Sequence, residues 1–178
     1  MNSQHGRVAA FSLACVVSVA LTSCTGSPTG STTAGQVTPS QSGGCKPTPI
    51  TAGIPGVNAG AGSSPFWIGG VGSISGAPAS LGTGRNKVVL VVSKSVAAHT
   101  VVTAQSLSGI GGLTFQLAGA KKTQAAVRLP SHSLGEPSGS VTPGFDYYPA
   151  YIQISRPGCY VVTASGPQGT TSVTIKAT

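Results

Sequence analysis

Few side chains in this sequence can do acid–base, nucleophilic or metal chemistry. The 178 residues include two carboxylates, Glu136 and Asp146, three histidines, His5, His99 and His132, and four cysteines, Cys15, Cys24, Cys45 and Cys159. A hydrolytic triad needs a nucleophile, a base beside it and an acid to orient the base. Serines are plentiful, but no Gly-x-Ser-x-Gly elbow occurs. His99 falls between two strand-like runs, and His132 sits between two serines after Pro130. Both read as exposed turn residues, and no catalytic residue is assigned. A glycosidase pair would have to be Glu136 and Asp146. Two acids are too few for a typical calcium site without much backbone help. Neither Cys45 nor Cys159 has cysteine or histidine neighbours at zinc-ligand spacing. No metal and no cofactor is called for. Glycine clusters at Gly69-Gly70-Val71-Gly72 and Gly109-Ile110-Gly111-Gly112 lack the Gly-Lys-Ser/Thr of a phosphate loop and read as turns.

The elements that would carry these residues are short. Charged residues make up 7% of the chain, and glycine contributes 26 residues. Strong helix formers are scarce, and no window sustains a 3.6-residue apolar stripe. Apolar runs lie between turn signals at 65–68 (PFWI), 87–93 (KVVLVVS), 100–104 (TVVTA), 113–117 (LTFQL), 125–129 (AAVRL), 150–154 (AYIQI), 159–165 (CYVVTAS) and 171–177 (TSVTIKA). The run at 87–93 is nearly continuous, so a central strand buried on both faces is expected. The run at 125–129 suits an edge. Gly166-Pro167-Gln168-Gly169 is a turn by composition. About seven or eight such strands predict an all-β, antiparallel sandwich over residues 64–178.

Charge excludes one class of partner. The formal net charge is +8. Apart from Lys121-Lys122 the basic residues are scattered, whereas a nucleic-acid module concentrates charge along one element. No nucleic-acid partner is expected. A sparse basic surface serves solubility, with weak attraction to anionic headgroups or envelope polymers as the alternative. All four tyrosines fall between 147 and 160. Clustered tyrosine suits a contact surface, so Tyr147, Tyr148 and Tyr151 are candidate contacts for a protein or glycan. The competing reading makes them cap the core.

The N-terminus carries the most specific pattern. A polar stretch ending at Arg7 precedes an apolar run from Val8 to Leu21. That run is short for a membrane span, which needs about 20 residues, and matches the hydrophobic region of a secretory signal. It ends in Leu21-Thr22-Ser23-Cys24. These residues resemble the lipobox of bacterial lipoproteins. The resemblance covers residues 1–24 and implies cleavage of a signal peptide, 1–23, and a diacylglycerol on Cys24. It implies a membrane-anchored protein on the extracytoplasmic face of a bacterial cell, of Gram-positive type by its Thr/Ser/Gly tether. Loss of Arg7 would leave nine Lys/Arg against two acids. Residues 24–44 are almost free of apolar side chains and are expected to be a disordered tether, spanning roughly 25 Å. Residues 45–63 read as an irregular arm. With Cys15 discarded and Cys24 acylated, Cys45 and Cys159 remain as an even pair, which in an exported protein reads as a disulfide.

The segment Arg156-Pro157-Gly158-Cys159-Tyr160-Val161-Val162, the alternating last strand and Pro65-Phe66-Trp67-Ile68 resemble immunoglobulin-like domains of exported bacterial proteins. The chain departs from antibody-type domains because Cys45 precedes the first strong strand. Its disulfide should therefore tie the arm to the penultimate strand rather than bridge the sheets. Two functions follow as expectations: a non-enzymatic lipoprotein for binding, adhesion or envelope organisation, or a small envelope hydrolase using His99 or His132. Cys24→Ala should move the protein from the membrane to the soluble fraction; continued sedimentation with membranes would show that acylation is not what holds it.

Overall fold

Alternating β-branched and aromatic runs need two apolar layers to bury them, and the chain supplies both. The computed structural model describes residues 44–135 and 142–178. Cys24, the 1–23 leader, Glu136 and all of the tether except Gly44 lie outside the described residues. The strands are β1 (Ile50–Ala52), β2 (Ala59–Ser63), β3 (Phe66–Gly69), β4 (Ser80–Leu81), β5 (Gly84–Ser93), β6 (Val101–Ser106), β7 (Leu113–Leu117), β8 (Ala126–Arg128), β9 (Phe145–Ile154), β10 (Gly158–Gly166) and β11 (Gly169–Ala177). A short 3-10 turn, Ala97–His99, links β5 to β6. The first sheet has the order β1-β2-β3-β5-β9-β7 and the second β4-β11-β10-β6-β8. Pairing is antiparallel except where the two-residue β4 runs parallel to β11. The fold is all-β and sandwich-like, with strand alternation setting the core. Val88, Leu90 and Val92 of β5, Tyr148, Ala150, Ile152 and Ile154 of β9, and Tyr160, Val162, Val173 and Ile175 of the facing sheet are buried together.

Most of the expected strands appear with small shifts, and β7 matches its apolar run residue for residue. β8 lies at an edge of its sheet, and Gly166 pairs with Gly169 across the last hairpin. β5 is central, between β3 and β9. Val91, on its outer face, is fully buried, and Val89 is half-buried.

The stretch 45–63 is not an irregular arm. It carries β1 and β2, and Ile50 and Ala61 enter the core. Its glycine content, which reads as loop, comes from close packing. A Cβ on Gly60 would stand 2.5 Å from the Ile68 carbonyl oxygen and from the end of Ile54. The strand exists because its neighbours hold it, which overrides its poor intrinsic propensity.

Cys45 and Cys159 form a disulfide, with Cα atoms 5.8 Å apart and 114 residues between them in sequence. Cys159 lies on β10, the penultimate strand, so the bond ties the N-terminal segment to one sheet. Just beyond it, the Thr48 N–H donates to the Thr174 carbonyl at 2.8 Å, and the Thr174 N–H donates back to Thr48 Oγ1 at 2.8 Å. A disulfide closing a loop of this length is worth about 4–5 kcal/mol by chain entropy alone. Replacing both cysteines by serine should lower stability by about 2–5 kcal/mol in urea titrations. An unchanged midpoint would mean that the Thr48 contacts hold the segment unaided.

Candidate functional site

The start of β9 gathers several of the candidate side chains at one end of the molecule. A cleft of about 440 Å³ is lined by Lys94, Ser131, His132, Ser133, Phe145, Asp146 and Tyr147. Three segments build it. β5 ends at Ser93 opposite Phe145, and the Lys94 N–H then donates to the Gly144 carbonyl at 2.8 Å. β9 supplies one wall. The chain leaving β8 supplies the other, as Ser131, His132 and Ser133.

That second wall is sewn to β9 where its neighbour β7 has already ended. β7 pairs with β9 over residues 150–154. Beyond that limit the Leu134 N–H donates to the Tyr147 carbonyl at 3.0 Å. Ser133 Oγ donates to the same carbonyl at 2.8 Å and accepts the Tyr147 N–H at 2.9 Å. From beneath, the Tyr148 hydroxyl donates to the Pro130 carbonyl at 2.8 Å. Tyr147 Oη accepts the Thr142 N–H at 3.0 Å.

These contacts correct the tyrosine assignment. Tyr147 and Tyr148 are not contact residues on the surface: they are 1% and 0% exposed. Tyr148 faces the core between the sheets. Tyr147 faces outward but lies beneath the 53–58 turn, where a side chain on Gly56 would collide with its ring. Their hydroxyls fasten the loops flanking the cleft. Tyr151 is half-buried on the outer face and stays partly accessible.

Asp146 is the unusual member. Its phase in β9 is that of Tyr148 and Ile152, so it points inward, and it is 5% exposed. Among the described residues its Oδ2 has no hydrogen-bond partner. A buried charge without a partner costs several kcal/mol. The carboxylate also acts on Tyr148. Burial, then the charge of Asp146 and last a side-chain interaction with it, push ionisation of the Tyr148 phenol well above its ordinary range; the hydroxyl's own hydrogen bond goes to Pro130.

His132 and Asp146 line the same cleft, but among the described residues His132 makes no hydrogen bond to a serine or to Asp146. Ser133 Oγ is occupied by backbone partners. His99 is exposed at the end of the 3-10 turn and lies outside the cleft. The described residues contain no group of three or more His, Cys, Asp or Glu suited to a metal ion. What the cleft can do chemically is accept a hydrogen-bond donor or a positive charge at Asp146, with Lys94 and His132 beside it. No family model matches the chain, and comparison with curated proteins and with solved structures yields no match.

Tyr148 makes alkaline stability a direct probe of this end of the molecule. The unfolded phenol loses its proton near pH 10, whereas the folded one retains it to higher pH. Above pH 10 the unfolded state therefore binds fewer protons, and stability falls as pH rises. The contribution is complete below pH 10 and is lost toward the raised pKa, at about 1.4 kcal/mol per pH unit. Tyr148→Phe should flatten this slope in denaturation measured from pH 9 to 11. A slope unchanged by the substitution would assign the alkaline loss to other groups.

Proposed function

We propose that this chain is an exported, lipid-anchored binding protein whose sandwich-like domain takes a cationic or donor-rich ligand at the Asp146 cleft. The anchor rests on the apolar run 8–21 and the Leu21-Thr22-Ser23-Cys24 sequence. The Cys45–Cys159 bond fits an oxidising, extracytoplasmic location. We read the two sheets as an immunoglobulin-like sandwich in which the disulfide has moved from between the sheets to the N-terminal segment.

One observation carries the binding reading: a carboxylate 5% exposed lines an open cleft with one oxygen unpartnered among the described residues. A purely structural position would be better filled by an apolar or amide side chain, because burying an unpaired charge lowers stability. Oδ2 itself is shielded from solvent, so a ligand ammonium, guanidinium or hydroxyl engages the carboxylate at the part that reaches the cleft, in a charge-assisted bond of the strong kind. Lys94 at the same cleft suits an anionic group elsewhere on the ligand.

A second reading, hydrolysis, draws on the proximity of Ser131, His132 and Asp146 in one cleft. It needs His132 to turn toward Asp146 and one of the serines. The two readings separate in one set of measurements. For binding, alkylammonium and amino-sugar probes should raise the Tm of the native protein saturably. They should do nothing to Asp146→Asn, which by itself should be at least as stable as the parent. Equal shifts in both proteins would sink the binding reading. Ester or amide turnover lost in His132→Ala would establish the hydrolase.

A further inference from the structure

The outer face of the first sheet carries a second constellation, at the far end of β9 from the cleft. In the pairing of β5, β9 and β7, Arg85 lies opposite Gln153, and Lys87 opposite Tyr151, which in turn faces Gln116. These side chains share the outward face. Arg85 is exposed but lies across the sheet surface. Its guanidinium carbon stands 3.7 Å above the centre of the Tyr151 ring, and its Nη2 donates to Gln116 Oε1 at 3.2 Å. The arginine thus reaches from β5 across β9 to the edge strand β7. Gln116 passes the constraint on, since its Nε2 donates to the Ala120 carbonyl at 2.7 Å. That bond fastens the turn whose next two residues are Lys121 and Lys122, both exposed.

We propose that this face binds a polyanion whose charges are phosphates, seated on Arg85, Lys87, Lys121 and Lys122. A guanidinium has five N–H donors, of which Gln116 takes one. Stacking on Tyr151 and the bond to Gln116 remove the rotamer freedom that a long cationic side chain otherwise loses on binding. The charge around it is uncompensated by Asp146, which is buried and inward-facing at the other end of β9. Phosphate suits the arginine fork through bidentate bonds. The face argues against two other anionic partners. Arg85 covers the Tyr151 ring, the aromatic surface beside these cations on which a nucleic-acid base would stack; Trp67 and Phe145 lie toward the other end of the sheet, packed edge-on against each other. Among the described residues the exposed large apolar side chains, Ile74 and Ile110, lie in loops rather than on these strands, so these strands offer a bilayer no apolar anchor. This inference stands independently of the Asp146 cleft.

The test uses the full chain carrying Cys24→Ala, so that no anchor contributes, and long-chain inorganic polyphosphate as the probe. The native face should bind with an affinity that falls steeply with salt. Arg85→Gln should weaken binding about tenfold and reduce the slope of log affinity against log salt by about one. Arg85→Lys keeps the charge but loses the fork and the stack, and should still weaken binding severalfold. Lys176→Gln, on the second sheet, should change little. The proposal is overturned if Arg85→Lys binds as the parent does, or if Lys176→Gln weakens binding as much as Arg85→Gln. It is also overturned if oligothymidylate of equal charge, or phosphatidylglycerol vesicles, bind more tightly than polyphosphate through Arg85. Circular dichroism and an intact disulfide establish that each variant is folded.

Discussion

The central pair of strands, β5 and β9, is buried on both faces over the half that carries Val91 and Tyr147, and much of the molecule answers that demand. Inward, Val88, Leu90, Val92, Tyr148, Ile152 and Ile154 meet the second sheet. Outward, Val91 and Tyr147 are equally hidden. A two-layer sandwich covers one side of each sheet, so the outer side needs a separate cover. The 53–58 turn and the segment 131–135 provide it. Ile54 is 4% exposed, and Val57 lies beside Val89 across Gly69. Without these covers an aromatic ring and a valine would face water at a cost of about 1.5–3 kcal/mol each.

The cover explains where the candidate cleft lies. Because 131–135 must lie against β9, its backbone takes over the hydrogen bonds that β7 no longer supplies, with Ser133 bonding to both polar groups of Tyr147. The strip left between cover and sheet end is the cleft. Asp146 lies at that end on the inward face, where β5 and β9 are running out and the core thins. The covered portion of the outer face carries apolar side chains. The uncovered portion, from Arg85 to Gln116, carries polar and cationic ones. One ten-residue strand thus ends in a buried carboxylate and, five residues on, supports a stacked guanidinium. At a strand rise of about 3.3 Å per residue the two are roughly 17 Å apart.

The sequence made the long strands legible and left the devices around them obscure, for physical reasons. Period-two alternation marks β7, β10 and β11 because one of their faces is core. The two-sided burial of β5 was visible in its continuous β-branched run. β1, β2 and β4 were hidden. β2 is AGAGS, and its glycines answer steric limits set by Ile54, Ile68 and Trp67, residues that composition cannot connect to it. The buried tyrosines misled because side-chain type does not reveal what covers an outer face. The phase of Asp146 was readable in principle. Ala150, Ile152 and Ile154 point inward, and counting back by twos through Tyr148 reaches Asp146. A strand taken from Ala150, after Pro149, stops short of that count. The Arg85–Tyr151–Gln116 bridge required the register of three strands that are not consecutive in the chain, which no local pattern encodes.

Magnitudes connect the cleft to the disulfide. An uncompensated buried carboxylate costs on the order of 3–5 kcal/mol. A loop-closing bond across 114 residues contributes about 4–5 kcal/mol. A small β-domain has about 5–15 kcal/mol of net stability, so either quantity alone is a large fraction of the whole. The bond constrains the N-terminal segment, which leads into β1 and β2 and through them into the turn that covers Tyr147. Tyr147 in turn fixes Ser133 and Leu134, one wall of the cleft. The staple therefore acts on the same chain of contacts that the carboxylate burdens. In a reducing compartment the domain would lose that offset while retaining the charge. A site of this kind is stable where disulfides persist.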